Sequence, residues 1–304
     1  MQDIEFITYG SRERYDEHFD EIAEFFINNT PDTFNQNWHI GRLDWMMGHP
    51  YLDKDMLSKI GIWKQDGKVV ALVLGDTEYP PIYLLCDEQH GFLREAMLDY
   101  AEQAFRTQKY SDKGDWLKIV ANDEDAEFID LLKRRGYAID DWTETVLELE
   151  CDKNHPLRYE LADGFTLTDY EETNDIDKVR WAIFKGFENE GDAPEDLGKP
   201  ASVTCPFHYY DNSLKVFAVA PDGEFASHCG IWYNEINRIA YIEPVFTIPE
   251  YRGKGLAKAA IYEAINRCAE RGAVKAVVLS DMEFYFNLGM KKTAGYHHWA
   301  KYFD

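Results

Sequence analysis

The chain has 304 residues, 45% hydrophobic and 15% aromatic, with 32 basic against 56 acidic side chains and a formal net charge of −24. Its length predicts two domains, each apolar enough to bury a core, and a pI near 4.7 argues against nucleic acid as a partner, because phosphate-backbone binding depends on a basic face. No run reaches the roughly 20 apolar residues of a membrane span. The N-terminus, Met1-Gln2-Asp3-Ile4-Glu5, lacks the basic and apolar regions of a signal peptide. Five scattered cysteines without a CxxC pair read as reduced thiols, so the expected location is cytoplasmic. The acidity has two readings: solubility, or attraction of cationic substrates.

In chain order the pattern predicts a strand over 4–9, a helix over 15–28 and a hairpin over 60–74 around Gln65-Asp66-Gly67-Lys68. A helix over 91–106, a strand over 116–120, a helix over 126–135 ending at Gly136 and a closing strand over 145–149 complete the first half. The polar stretch Cys151-Asp152-Lys153-Asn154-His155-Pro156 marks a boundary, giving domains 1–152 and 153–304. The second half predicts the same series: strand 165–169, helix 175–187, hairpin 214–232 around Pro221-Asp222-Gly223-Glu224, helix 255–271, strand 274–280, helix 282–288, Gly289 and closing strand 297–302. From Gly67 to Gly136 is 69 residues and from Gly223 to Gly289 is 66, the signature of an internal repeat.

The run from Val245 to Lys258 is the most informative segment. It reads as a strand, a turn broken by Pro249, a basic glycine loop and a helix start. Gly253 and Gly255 can take positive φ and bring backbone N–H groups against an anion. The following helix adds unpaired donors and a positive dipole end. Arg252, Lys254 and Lys258 oppose one acid, Glu250. The run contains no GxxxxGK[ST], and Lys258 stands where a dinucleotide fingerprint needs its third glycine.

Arg252-Gly253-Lys254-Gly255-Leu256-Ala257 fits [QR]-x-x-G-x-[GA], with Thr247-Ile248-Pro249 before it and Tyr285 four residues ahead of Gly289 after it. Here the sequence resembles the GCN5-related N-acetyltransferase (GNAT) family, over roughly 160–304 and most specifically 241–290. The resemblance and the repeat together imply an α/β (α+β) fold of two tandem GNAT-like domains. Each would be a mixed, mostly antiparallel central sheet flanked by helices. The resemblance further implies acetyl-CoA as acyl donor, its pyrophosphate held by Arg252, Gly253, Lys254, Gly255, Leu256 and Ala257. Strand residues Val245, Phe246 and Thr247 would hold the pantetheine arm and acetyl group, through the backbone amides of Val245 and Thr247.

By the same resemblance Tyr285 is the general acid, a phenol protonated at neutral pH; the alternative is a packed aromatic between Phe284 and Phe286. Glu243, two residues before Val245 and so on the same strand face by alternation, is either a general base or a structural carboxylate at the Pro244 bend. Ser280-Asp281-Met282-Glu283 departs from the family, many members having an asparagine there. The acceptor region, 187–210, carries Glu188, Glu190, Asp192, Glu195, Asp196, His208, Tyr209 and Tyr210. They read either as a wall for an ammonium-bearing substrate or as a solvated acidic loop. His297 and His298 lack a third spaced ligand, so no metal is expected.

In the first half the matching segment reads Leu85-Cys86-Asp87-Glu88-Gln89-His90-Gly91-Phe92, and Leu132 stands where the second half has Tyr285. Asp87 and Glu88 would repel phosphate, so this copy is read as degenerate, without a coenzyme site. It would cover the active half or line its acceptor site. The expected function is transfer of an acetyl group from acetyl-CoA to a primary amine of a small molecule, cationic amines included, directly in a ternary complex. The expected assembly is a monomer or homodimer without a membrane partner. The alternative is a non-catalytic coenzyme-A-binding sensor or assembly module.

Overall fold

The computed structural model describes residues 4–29, 35–49, 52–77, 80–191 and 209–303. The first half runs β1 (Ile4–Thr8), α1 (Phe19–Asn29), α2 (Ile40–Gly48), α3 (Lys54–Leu57), β2 (Gly61–Gln65), β3 (Lys68–Gly75), β4 (Ile82–Cys86), α4 (Arg94–Ala104), β5 (Trp116–Asn122), α5 (Ala126–Arg134) and β6 (Ala138–Glu150). The second runs β7 (Thr166–Asp169), α6 (Tyr170–Thr173), α7 (Ile176–Gly186), β8 (Tyr210–Val219), β9 (Phe225–Asn234), β10 (Ile239–Thr247), α8 (Leu256–Glu270), β11 (Lys275–Leu279), α9 (Glu283–Asn287) and β12 (Lys291–Tyr302). The repeat read from glycine spacing is a repeat of elements.

Local chemistry sets these boundaries. Asp66 and Gly67 both take positive φ, 51° and 77°, which lets a two-residue turn follow the twist of β2 and β3. The carboxylates of Asp125 and Asp175 accept from Phe128 N and Lys178 N at 3.2 and 3.1 Å, capping α5 and α7. On α8 the stripe Leu256, Ala260, Ala264 and Cys268 is buried and packs on β8, β9 and β10.

The strands form one twelve-stranded sheet in the order β1-β2-β3-β4-β5-β12-β6-β11-β10-β9-β8-β7. The closing strands are exchanged. β6 pairs with β11 of the second half, from Lys275↔Glu150 to Leu279↔Val146. β12 pairs with β5 of the first, from Tyr296↔Asn122 to Tyr302↔Trp116. The two exchanged strands meet antiparallel at the centre. Hydrophobic alternation fixes that a segment is a strand and which face it buries, not which neighbour it takes.

Each half has one parallel pair that parts early. β10 and β11 pair only through Ile239, Ala240 and Tyr241, and β4 and β5 only through Ile82 and Tyr83. Beyond these points the facing edges separate and leave backbone groups available. In β10 the cause is a bulge between Ile242 and Val245, opposite Gly230 of β9; an extra residue bends its strand away from the neighbour. Gly230 is required there, because a Cβ would overlap the Tyr210 hydroxyl and the Glu243 carbonyl.

Candidate active site

The residues singled out in the sequence lie on β10, in the loop between β10 and α8, and on α9. Gly253 and Gly255 sit at φ 77° and 75°, with nothing within 4 Å of the position a Cβ would take. Gly255 precedes α8, and no side chain caps that helix, so its first-turn N–H groups remain available to an anion. Leu256 is buried while Arg252, Lys254 and Lys258 are exposed. Arg252 donates through Nε to the Thr247 carbonyl at 3.1 Å and pairs with Glu188 at 2.5 Å, which folds its guanidinium back over the end of β10. A loop with two left-handed glycines, an uncapped helix start and three cations fits a pyrophosphate.

The β10 residues divide by face. The Phe246 side chain is core, packed on Gly186 of α7 and tilted against His228 at 5.3 Å, so it offers a ligand only backbone. Val245 and Thr247 are half-buried, and the Thr247 hydroxyl lies 2.8 Å from that of Ser227. The bulge corrects the simple alternation that placed Glu243 and Val245 on one face. Ile242 and Val245 oppose Ile231 and Cys229, so Glu243 and Pro244 share the place across from Gly230.

Glu243 keeps a partial opening to solvent while its carboxyl lies deep among protein atoms. Burial, and then Asp76, push that carboxyl up to about 7 against the opposing charge of Arg42. Both charges come from the first half. Arg42 on α2 is saturated by the Asp76 carboxylate at 2.8 Å, the Asn37 carbonyl at 2.6 Å, the Tyr83 hydroxyl at 2.7 Å and Glu144 at 3.1 Å. Burial alone would raise Glu144, but Arg42 and then His298 hold its carboxyl well below the usual range. On the same helix His39 stacks on Tyr241 at 5.3 Å, and Asp44 accepts from Trp232 Nε1 and Tyr209 N, both at 3.1 Å. The first half therefore covers β9 and β10 and sets the charge around Glu243.

Tyr285 lies on α9, 7% exposed, edge-on to Phe284 at 5.1 Å, and its hydroxyl has no hydrogen-bond partner among the described residues. Burial, then the nearby Cys229 and Glu243, push its phenol above the ordinary value, so it holds its proton. Cys229 is buried opposite Val245, and burial raises its thiol well above the usual value, which leaves it a poor nucleophile.

Of the acceptor region, Glu188 is engaged by Arg252, Glu190 is exposed, and Tyr210 stacks on Trp232 at 4.1 Å. Asp192, Glu195, Asp196 and His208 lie outside the described residues. Sequence reasoning missed α2 and Asp76. The stripe Leu43, Met46 and Met47 was a helical signal, but the interleaved Arg42 and Asp44 disguise a face that is buried. Asp76 sits in a loop with no periodicity to expose it.

Residues 174–290 match the model of the acetyltransferase (GNAT) family. That segment is a GNAT domain. The whole chain has the tandem GNAT fold: a GCN5-related N-acetyltransferase from Sphaerobacter thermophilus superposes with a TM-score of 0.60 at 15% identity, over 98% of this chain and 95% of that one. A tandem GNAT protein from the clavulanic acid biosynthesis pathway gives 0.59 at 14% identity over 98% of each. N-myristoyltransferase from Saccharomyces cerevisiae, solved with myristoyl-CoA, gives 0.51 at 12% over 99% of this chain and 78% of that one. No curated protein matches the chain in sequence. In the GNAT domain the family match spans Glu243, the glycine loop and Tyr285, and the chemistry of the family is acyl transfer.

Proposed function

We propose that this protein is an acetyl-CoA-dependent N-acetyltransferase that acts on a primary amine of a small, cationic molecule in the cytoplasm. The observation that carries this reading is the nearness of Tyr285 on α9 to Glu243 on β10, the strand that runs into the two-glycine loop; burial, Cys229 and then Glu243 keep the phenol protonated. Coenzyme A would supply an activated acyl thioester. Arg252, Lys254 and the backbone from Gly253 to Ala257 would hold its pyrophosphate, and the β10 amides of Val245 and Thr247 would donate to the thioester carbonyl, where negative charge develops.

Glu243, ionised in part at neutral pH, takes a proton from the acceptor ammonium directly or through water, freeing the nitrogen lone pair. The new C–N bond forms as the C–S bond breaks, Tyr285 gives its proton to the departing sulfur, and the acylated nitrogen gives up its second proton, through water, to restore the Tyr285 phenol. The buried, protonated thiol of Cys229 is unsuited to carry the acyl group, which favours direct transfer. A thiol-release assay with acetyl-CoA over polyamines, aminoglycosides, amino acids and peptides tests this. Release with one class of small amine is expected; coenzyme binding without release from any of them would assign the protein as a sensor or assembly module instead.

A further inference from the structure

The early parting of β4 and β5 leaves an opening in the first half at the place where the second half has its β10–β11 cleft. A cavity of about 490 Å³ lies there, lined by Asp87 and Glu88 after β4 and by Glu124, Asp125 and Glu127 after β5, with Arg94 as its one cation among the lining residues. Its size suits a small ligand. Arg94 is already bound to Asp125 and lies over the Phe128 ring at 4.8 Å, whereas the exposed carboxylates of Glu124 and Glu127 have no ion partner among the described residues.

A second observation points to a ligand. A smaller cavity of about 10 Å³ shares Arg94 and Asp125 with the outer one and is lined by Asn37, Tyr83 and Asn122. It is the size of one water molecule or one ammonium head. Asn37 is 2% exposed, and its Oδ1 has no hydrogen-bond partner among the described residues. The amide cannot be flipped to cure this, because its Nδ2 donates to Glu144 at 2.9 Å and an oxygen there would face a carboxylate. A buried acceptor without a donor among the described residues, in a small cavity that adjoins a cleft with five carboxylates, asks for a cation that carries N–H groups.

We propose that this cleft binds a linear alkyl polyammonium ion, one terminal ammonium donating to Asn37 Oδ1 and the others lying between the Asp87–Glu88 and Glu124–Glu127 walls. The second half's cleft is built for phosphate and this one for the opposite charge. A metal ion is a poorer occupant, since no three His, Cys, Asp or Glu side chains converge on a point among the described residues.

Calorimetric titration of spermidine into the full chain at low salt tests the site. Binding is expected in the wild type, unchanged in E243Q and weakened about tenfold or more in E124Q/E127Q, whose exposed positions leave the fold intact. Equal affinity in the double variant would overturn the proposal, as would loss in E243Q, which would move the binding to the active site. Displacement by equimolar Mg²⁺, or no binding at millimolar spermidine, would overturn it as well.

Discussion

Because burial and Asp76 bring the Glu243 carboxyl up to about 7, its ionisation falls in the neutral range, and both rate and stability should depend on pH there. The base form grows as pH rises, so kcat is expected to climb through a midpoint near 7 and level off above it. In Glu243→Gln this limb should vanish and kcat should fall about 100-fold, as steady-state profiles would read; an unchanged limb would remove Glu243 from proton transfer. Asp76→Asn, which removes the neighbouring carboxylate and leaves Arg42 opposed by Glu144 alone, should move the midpoint below 7. Stability runs the other way. The folded state holds the proton more tightly than the unfolded one, so the contribution is present below the unfolded pKa of about 4.3 and is lost as pH rises through about 7. Urea denaturation should therefore find Glu243→Gln gaining on wild type between pH 5 and 8, by up to about 3 kcal/mol. Tyr285→Phe keeps the ring in its pocket and deletes the proton, so kcat should drop about 100-fold or more with coenzyme affinity unchanged. Glu243 and Tyr285 were candidates in the sequence because each sits at a fixed offset from a local landmark, two residues before Val245 and four before Gly289. Arg42 and Asp76 were not, because what matters about them is proximity across the fold.

At the scale of elements, the two glycines of the loop and Gly230 are constrained for different reasons. Gly253 and Gly255 have open space above them but left-handed backbone, so alanine at either costs about 1–2 kcal/mol in that conformation. It should also tilt the donor N–H groups away from an anion. Gly255→Ala is expected to lower the unfolding midpoint by a few degrees, in line with that cost, and to weaken coenzyme binding about tenfold by direct titration. At Gly230 the backbone is ordinary and the space is taken by Tyr210 and by the Glu243 carbonyl, 2.6 Å from the would-be Cβ. Gly230→Ala should cost about 1–3 kcal/mol and, by moving the bulge that carries Glu243, lower kcat as well. Thermal unfolding and kinetics on the same sample would separate the two glycine effects. Hairpin turns and the order of strands and helices were legible because their signals are local. The bulge was not: it depends on how β10 registers against β9, and Glu243-Pro244 by itself is also compatible with a simple bend.

The exchange of β6 and β12 makes the molecule more than two repeats in series. Val146 and Leu147, fully buried on β6, pair with Leu279 and Val278 of the second half, while Trp299 of β12 pairs with Ile119 of the first. Cutting the chain at the sequence boundary after residue 152 would take β6 from the second half and β12 from the first. Each fragment would keep a long strand whose partner is gone and expose the row of backbone groups it used to satisfy, an invitation to aggregation. The intact chain is therefore expected to unfold in one transition with calorimetric and van't Hoff enthalpies in agreement. Fragments 1–152 and 153–304 should be insoluble or loosely packed alone and recover thiol-release activity only when expressed together. Two well-separated transitions, or a fragment that is monomeric and cooperatively folded on its own, would show that the exchanged strands are peripheral to each core. The same exchange explains why a half without the phosphate loop's charges remains part of the machine. It supplies β6 beside β11, places α2 over β9 and β10, and through Arg42 and Asp76 sets the charge at Glu243, the carboxylate proposed as the base.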